Sequence, residues 1–194
     1  MVISNAVNHF KTITRHRHLV MFNCFKAGIP LQGLMHDLSK YTPQEFLTGV
    51  KYFNGTHSPN VEERAEKGYS SAWMHHKGRN KHHYEYWFDN DDATLTLQPV
   101  EMPIKYVAEM FCDRIAASKI YKGDAYRDST SLEYFDSHDY RVSMNKNTRT
   151  LLRSLLVMLS EEGEKKTFAY VRKLVYKDKL NRLKKSLSRH FGKK

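Results

Sequence analysis

Apolar residues recur at helical spacing along most of the chain. Over residues 5–27, Val7, Phe10, Ile13, Val20, Phe22 and Ala27 supply the apolar positions of a helix, and Gly28 followed by Pro30 supplies its stop. His16 and His18 ride on that helix. Residues 31–38 form a shorter segment with Leu31, Leu34, Met35 and Leu38 at the same spacing, and His36 and Asp37 fall near its C-terminal end. Thr42-Pro43-Gln44-Glu45 is a helix start, with Thr42 as N-cap, Pro43 at the first helical position and Glu45 closing a capping box. That helix is expected to run to about Phe53, where Asn54-Gly55 breaks it. Ser58-Pro59-Asn60 then begins a piece over residues 61–66 that ends at Gly68.

Residues 70–74 are expected to be helical and to present His75 and His76 before Gly78; His82-His83-Tyr84-Glu85-Tyr86-Trp87 follows an Arg79-Asn80 turn. Residues 89–92 make an acidic loop, and weak alternation over residues 94–100 suits one short strand or an extended connector. Pro103 opens a long helix to about Tyr121, with Ile104, Val107, Ala108, Phe111, Ile115 and Ala116 on its buried face and Asp113 within it. Residues 124–140 are irregular and rich in Tyr and Asp. Asn145 or Asn147 caps a helix through Leu159, and a last helix over residues 164–187 grows steadily more basic. The pattern predicts an all-α fold, a helical bundle over residues 1–140 with a C-terminal helical extension over residues 141–194.

Composition narrows this picture. With 194 residues, 40% of them hydrophobic, the chain can build a sizeable core. Cys24 and Cys112 lie in apolar runs and are expected to be buried thiols, not a disulfide framework. No signal-peptide pattern opens the chain and no apolar run approaches the roughly 18 residues of a membrane span, so a cytoplasmic protein without a membrane partner is expected. The formal charge of +11 suggests nucleic acid, but residues 177–194 hold eight Lys/Arg against one Asp, which leaves +4 for all the rest. Leu180, Leu183 and Leu187 interleave that basic tail at helical spacing, so an amphipathic helix packed on the bundle is expected. A weak, salt-sensitive contact with nucleic acid through it is the alternative.

The chemistry concentrates in histidine and aspartate. The adjacent pair His36-Asp37 is accompanied by His16 or His18 upstream, by His75-His76 and His82-His83 downstream, and by Asp113. Imidazole and carboxylate together suit a divalent cation. Asp113, flanked by Met110, Phe111 and Ile115, lies close to the core, where a carboxylate needs a cation. His9, His57, His138 and His190 lack convergent neighbours in sequence and are expected to be structural; Trp73 and Trp87 are expected to pack around the site. Lys40, Lys77 and Arg79 are suitable partners for phosphoryl oxygens, Lys40 first among them.

The order of these donors, with His36-Asp37-Leu38-Ser39-Lys40 at its centre, resembles the HD-domain superfamily of metal-dependent phosphohydrolases over roughly residues 9–120. The strings His36-Asp37-Leu38-Ser39-Lys40-Tyr41 and His75-His76-Lys77-Gly78-Arg79-Asn80-Lys81-His82-His83-Tyr84-Glu85-Tyr86-Trp87 are similar still more closely to a family of small bacterial and phage HD-like proteins whose activity is not established. The resemblance implies His16, His36, Asp37 and Asp113 as core ligands of a divalent ion (Mn, Fe, Mg, Co or Zn). It further implies that a second ion is completed by one member of each doublet, taken as His76 and His83, with Asp37 shared. A phosphohydrolase acting on a phosphorylated small molecule or nucleotide follows. The alternatives are a di-iron oxygenase on the same scaffold, or a non-enzymatic, metal-stabilised helical module binding nucleic acid or a protein partner through its tail.

Overall fold

In the computed structural model, which describes residues 2–138, 140 and 143–191, the order along the chain is α1 (Val2–Ala27), α2 (Pro30–Met35), α3 (Pro43–Tyr52), α4 (Pro59–Lys67) and α5 (Ser71–Lys77). A hairpin of β1 (Phe88–Asp91) and β2 (Thr96–Pro99) precedes α6 (Ile104–Lys122), α7 (Thr130–Asp136) and α8 (Lys146–Phe191). The fold is all-α apart from that hairpin, whose antiparallel register sets Phe88 opposite Pro99 and Asp91 opposite Thr96.

The middle of α6 is buried around its whole circumference, from Val107 to Cys112 and again at Ile115 and Ala116, as befits a helix enclosed by others. α1, α7 and α8 pack against it. Val20 and Cys24 from α1, Phe111 from α6, and Leu156, Leu159 and Val171 from α8 belong to one core cluster, so the last third of the chain shares its core with the first. Each such side chain contributes about 1.5–3 kcal/mol on burial. Cys24 and Cys112 are buried free thiols. α8 is two helical pieces meeting at Gly163, whose φ of 76° and ψ of 170° interrupt the helix; a residue without Cβ takes that conformation without strain.

Four features depart from the sequence pattern. On α1, Val7, Phe10 and Phe22 are 46%, 49% and 63% exposed, and the buried stripe is instead His9, Ile13, His16, Val20, Cys24 and Ala27. Two histidines take positions that apolar periodicity assigns to hydrophobes. The expected acidic loop at residues 89–92 contains most of strand β1, paired to β2, which falls within residues 94–100 where the alternation suits one short strand. Residues 124–140, expected to be irregular, contain α7, too short for a periodic signature. The tail does not pack on the bundle: beyond Val175, every residue as far as Arg189 is exposed except the partly exposed Asp178, and Leu180, Leu183 and Leu187 are among them. Residues 192–194 and the side chain of His190 lie outside the described residues. Among the described residues no helix is long and apolar enough to cross a membrane.

A close helix contact sets up the site. Gly33 of α2 rests on α1, where an added Cβ would come within 2.7 Å of Cys24 Cβ and 3.1 Å of the Met21 backbone. Arg17 of α1 then donates from Nε to the His36 carbonyl (2.9 Å) and from its terminal nitrogen to the Leu34 carbonyl (2.6 Å), satisfying acceptors at the C-terminal end of α2. We expect Gly33→Ala to force these helices apart and to destabilise the protein by about 1–3 kcal/mol in urea denaturation, since overpacking cannot be relieved against backbone atoms.

Candidate metal centre

α2 ends at Met35, and Asp37 takes the left-handed conformation (φ 52°, ψ 26°), uncommon for a residue other than glycine. The turn is closed by Lys40 N–H donating to the Asp37 carbonyl (3.0 Å), and it leaves Leu38 outside while His36 and Asp37 are buried. His16 reaches the same place from the buried stripe of α1. Glu109 and Asp113 are one turn apart on α6, so both carboxylates share a face.

α5 is mounted on a buried carboxylate. Glu63 of α4 accepts from Ser70 Oγ (2.6 Å), Ser71 Oγ (2.6 Å), the Ala72 N–H (3.3 Å) and Lys67 Nζ (3.2 Å), and Ser70 Oγ in turn caps the helix by accepting from Trp73 N–H (3.0 Å). Burial alone would raise the Glu63 pKa, but these donors outweigh it and hold it at about 2. At the far end of α5, Asn80 donates to the His76 carbonyl (2.8 Å) and to Ser39 Oγ (2.8 Å), and His83 N–H donates to the Asn80 carbonyl (3.1 Å). This tight return brings His82 and His83 back to His76.

The donor atoms converge. Asp37 Oδ2 lies 2.7 Å from Lys40 Nζ and 3.4 Å from His36 Nε2, while Oδ1 lies 3.3 Å from His76 Nε2 and 3.5 Å from His82 Nε2. Asp113 Oδ1 is 2.9 Å from His16 Nε2 and 3.8 Å from His36 Nε2. His76 Nε2 and His83 Nε2 are 2.9 Å apart. Two further carboxylates hold the outer edges of these rings: Glu109 Oε1 meets Nδ1 of His36 (3.1 Å) and of His82 (3.2 Å), and Glu45 Oε2 meets Nδ1 of His76 (2.7 Å). Carboxylate on Nδ1 with Nε2 turned inward is the usual arrangement behind a metal-bound imidazole.

The inner atoms are not satisfied by one another. Nε2 of His16, His36 and His82 and Oδ1 of Asp37 are buried without an aligned hydrogen-bond partner. Such groups ordinarily find partners in a protein interior. Imidazole and carboxylate donors of this kind suit divalent cations, which would supply the partners these atoms lack. Two groupings have the necessary closeness, Asp37 with His76, His82 and His83, and His16 with His36 and Asp113; His36, His82 and Glu109 form a third through their outer edges. These buried clusters can hold a metal ion.

Electrostatics agree. Burial opposes ionisation of Asp37, yet His36, Lys40 and His76 hold its pKa well below the ordinary range. Asp113 is likewise held down against burial, by His16, His82 and His36. Burial opposes the charge on His76, but Asp37 and Glu45 raise its pKa to about 9. The carboxylates thus favour a proton on His76 and His82, which a divalent ion would displace on binding, whereas burial holds His36 and His83 below the usual imidazole range.

Every metal ligand expected from the sequence, namely His16, His36, Asp37, His76, His83 and Asp113, lies in this cluster. His18 is exposed on the other side of α1, which leaves His16 as the upstream donor. His75 points away, its Nδ1 on Glu45 Oε1 (2.6 Å), but both His82 and His83 face inward, so the expectation of one donor per doublet fails at the second. Adjacent residues in a tight turn, unlike those on a helix, can point to one place. Lys40 borders the cavity beside the cluster, which has a volume of about 310 Å³; Lys77 and Arg79 are not part of its wall, and Arg79 turns back to the His75 carbonyl (3.3 Å).

Glu109 and Glu45 were not foreseen as site residues. Glu109 had a signal, a charge in an apolar run four residues before Asp113. Glu45 had a misleading one: Thr42 makes no side-chain cap, and the carboxylate expected in a capping box serves His75 and His76 instead. Trp73 sits edge-on to His83 with ring centroids 4.7 Å apart and packs the site as expected.

A family model described as a family of unknown function, DUF5662, matches residues 5–158. No curated protein and no solved structure matches the chain.

The mount of α5 predicts a pH signature. Because the Glu63 pKa is lowered on folding, its stabilisation is complete above the unfolded value of 4.5 and is lost as pH falls towards about 2. Glu63→Gln is expected to cost about 1–3 kcal/mol at pH 7. In urea titrations, the gap between parent and variant should narrow below pH 4.5.

Proposed function

This chain belongs to the DUF5662 family, and we propose that it is a metal-dependent phosphohydrolase of the HD type, acting on a phosphate ester in the cavity beside Asp37. The observation that carries this reading is the convergence of four buried, unpartnered donor atoms next to a lysine that borders an open cavity. The order of the donors along the chain, His16, His36-Asp37 and Asp113, supports it through its likeness to HD-domain phosphohydrolases.

In the proposed site His16, His36, Asp37 and Asp113 would hold one ion. His76, His82 and His83, with Asp37 shared, would hold a second. A bound divalent ion would supply Lewis acidity, lowering the pKa of water to near neutrality and drawing charge from a phosphoryl oxygen. The chain's own contribution is placement and charge. Lys40 is kept as an ammonium because Asp37 and Asp113 outweigh the effect of its burial, so it can meet a phosphoryl oxygen where negative charge develops. Glu109 and Glu45 fix ring orientation and the tautomer that leaves Nε2 free, so the inner donors need not reorganise during the reaction. Ile13, Phe53 and Trp73 give the cavity apolar walls that strengthen these interactions.

Two measurements test the reading. Protein purified without chelator should carry one or two transition-metal ions per chain by plasma mass spectrometry, and Asp37→Ala almost none. Glu109→Ala should weaken metal affinity by about 10- to 100-fold while the ligands remain. The Mn²⁺-loaded parent should release phosphate from generic esters, and Asp37→Ala should not; activity persisting in that variant would refute the assignment. Iron that co-purifies and consumes oxygen would instead favour the oxidative alternative, since imidazole and carboxylate suit iron as well.

A further inference from the structure

His9 lies on the same buried stripe of α1 as His16 and lines the same cavity, but belongs to none of the ligand groups. Its ring is held between Phe46 and Phe53, with centroids 5.5 and 5.6 Å away. Gly49 provides its seat: a Cβ there would fall 2.2 Å from His9 Nε2 and 2.6 Å from Cε1, so only glycine admits the ring. Nδ1 is buried without a hydrogen-bond partner. Burial, with Lys40 adding to it, lowers the pKa of His9 to about 4, and the ring is neutral at pH 7.

A neutral imidazole carries one N–H. Placed on Nδ1 it would be sealed away with no acceptor, a costly arrangement, whereas on Nε2 it lies over Gly49, which itself lines the cavity. His9 therefore offers a donor to whatever fills the space. His9 and His16 are seven residues apart, about 10 Å along the helix axis, so His9 stands two helical turns from the cluster along the same cavity. Lys40 is the only lysine or arginine in the cavity wall among the described residues, enough for one phosphate and not for a polyphosphate chain.

We propose that His9, seated on Gly49, is a specificity residue that donates from Nε2 to an oxygen on the organic part of the substrate, which is the monophosphate ester of a small hydroxylated group. This deepens the phosphohydrolase reading and rests on it for the placement of the phosphate. A site built to hydrogen-bond an oxygen rejects the analogue lacking it, because the buried donor is then left unpaired.

The test compares pentyl phosphate, which has the length but no hydroxyl, with pentose and hexose phosphates and nucleoside 5′-monophosphates. kcat/KM is measured where phosphate is released, and Kd by calorimetry where it is not. The parent should prefer at least one hydroxylated ester by about 10- to 100-fold. His9→Phe should abolish that preference while leaving metal content unchanged, and His9→Gln, which keeps an N–H, should restore part of it. If His9→Phe does not fold, Gly49→Ala, which pushes the ring off its seat, should abolish the preference in its place. No preference in the parent, or a preference that survives these changes, overturns the proposal. Binding preference that depends on His9 without any phosphate release would remove the hydrolase reading and leave the subsite; hydrolysis without preference would do the reverse.

Discussion

A carboxylate sealed inside a protein has to be met by positive charge, and Asp37, only 1% exposed, is met by Lys40 on one oxygen and by imidazole edges on both. Removing any of these partners leaves charge stranded in the interior. The surrounding structure can be understood as the means of holding that arrangement: the left-handed turn at Asp37, the guanidinium of Arg17 on the end of α2, and the carboxylates of Glu45 and Glu109 behind the rings. Asp113 repeats the problem on α6 and is answered mainly by His16.

Because the inner atoms of this cluster lack partners in the protein itself, stability and ligation are coupled. An ion that binds the folded state alone adds to its stability in proportion to the logarithm of its concentration above the dissociation constant. The supports are arranged in tiers. Glu63 holds the start of α5, α5 presents His76, and Glu45 orients that ring, so a carboxylate outside the cluster still governs where His76 points.

α1 shows how core and site share one helix. Val20, Cys24 and Ala27 pack into the apolar cluster, while His16, Ile13 and His9 continue the same stripe along the cavity. The helix is thus a ruler, with the candidate metal cluster and the His9 seat two turns apart. The end of α8 beyond Val175 stands apart from this economy of contacts: its basic residues are solvated, and its leucines are exposed.

The sequence by itself determined the all-α class, the ends of most helices and most of the residues that gather in the candidate metal cluster. Those depend on local rules: periodicity, glycine and proline at termini, and side chains whose chemistry is unusual wherever they occur. His36-Asp37, the doublets and Asp113 were legible because imidazole and carboxylate in apolar surroundings need a shared explanation. Which face of α1 is buried was not legible, because His9 and His16 replace hydrophobes on the stripe and Val7, Phe10 and Phe22 distract from it. Nor was the service of Glu45 and Glu109, the inward turn of both His82 and His83, or the seat of His9 on Gly49. Each joins residues from different helices, or from a turn without periodicity, and only packing in three dimensions selects which polar groups are left to meet in the interior.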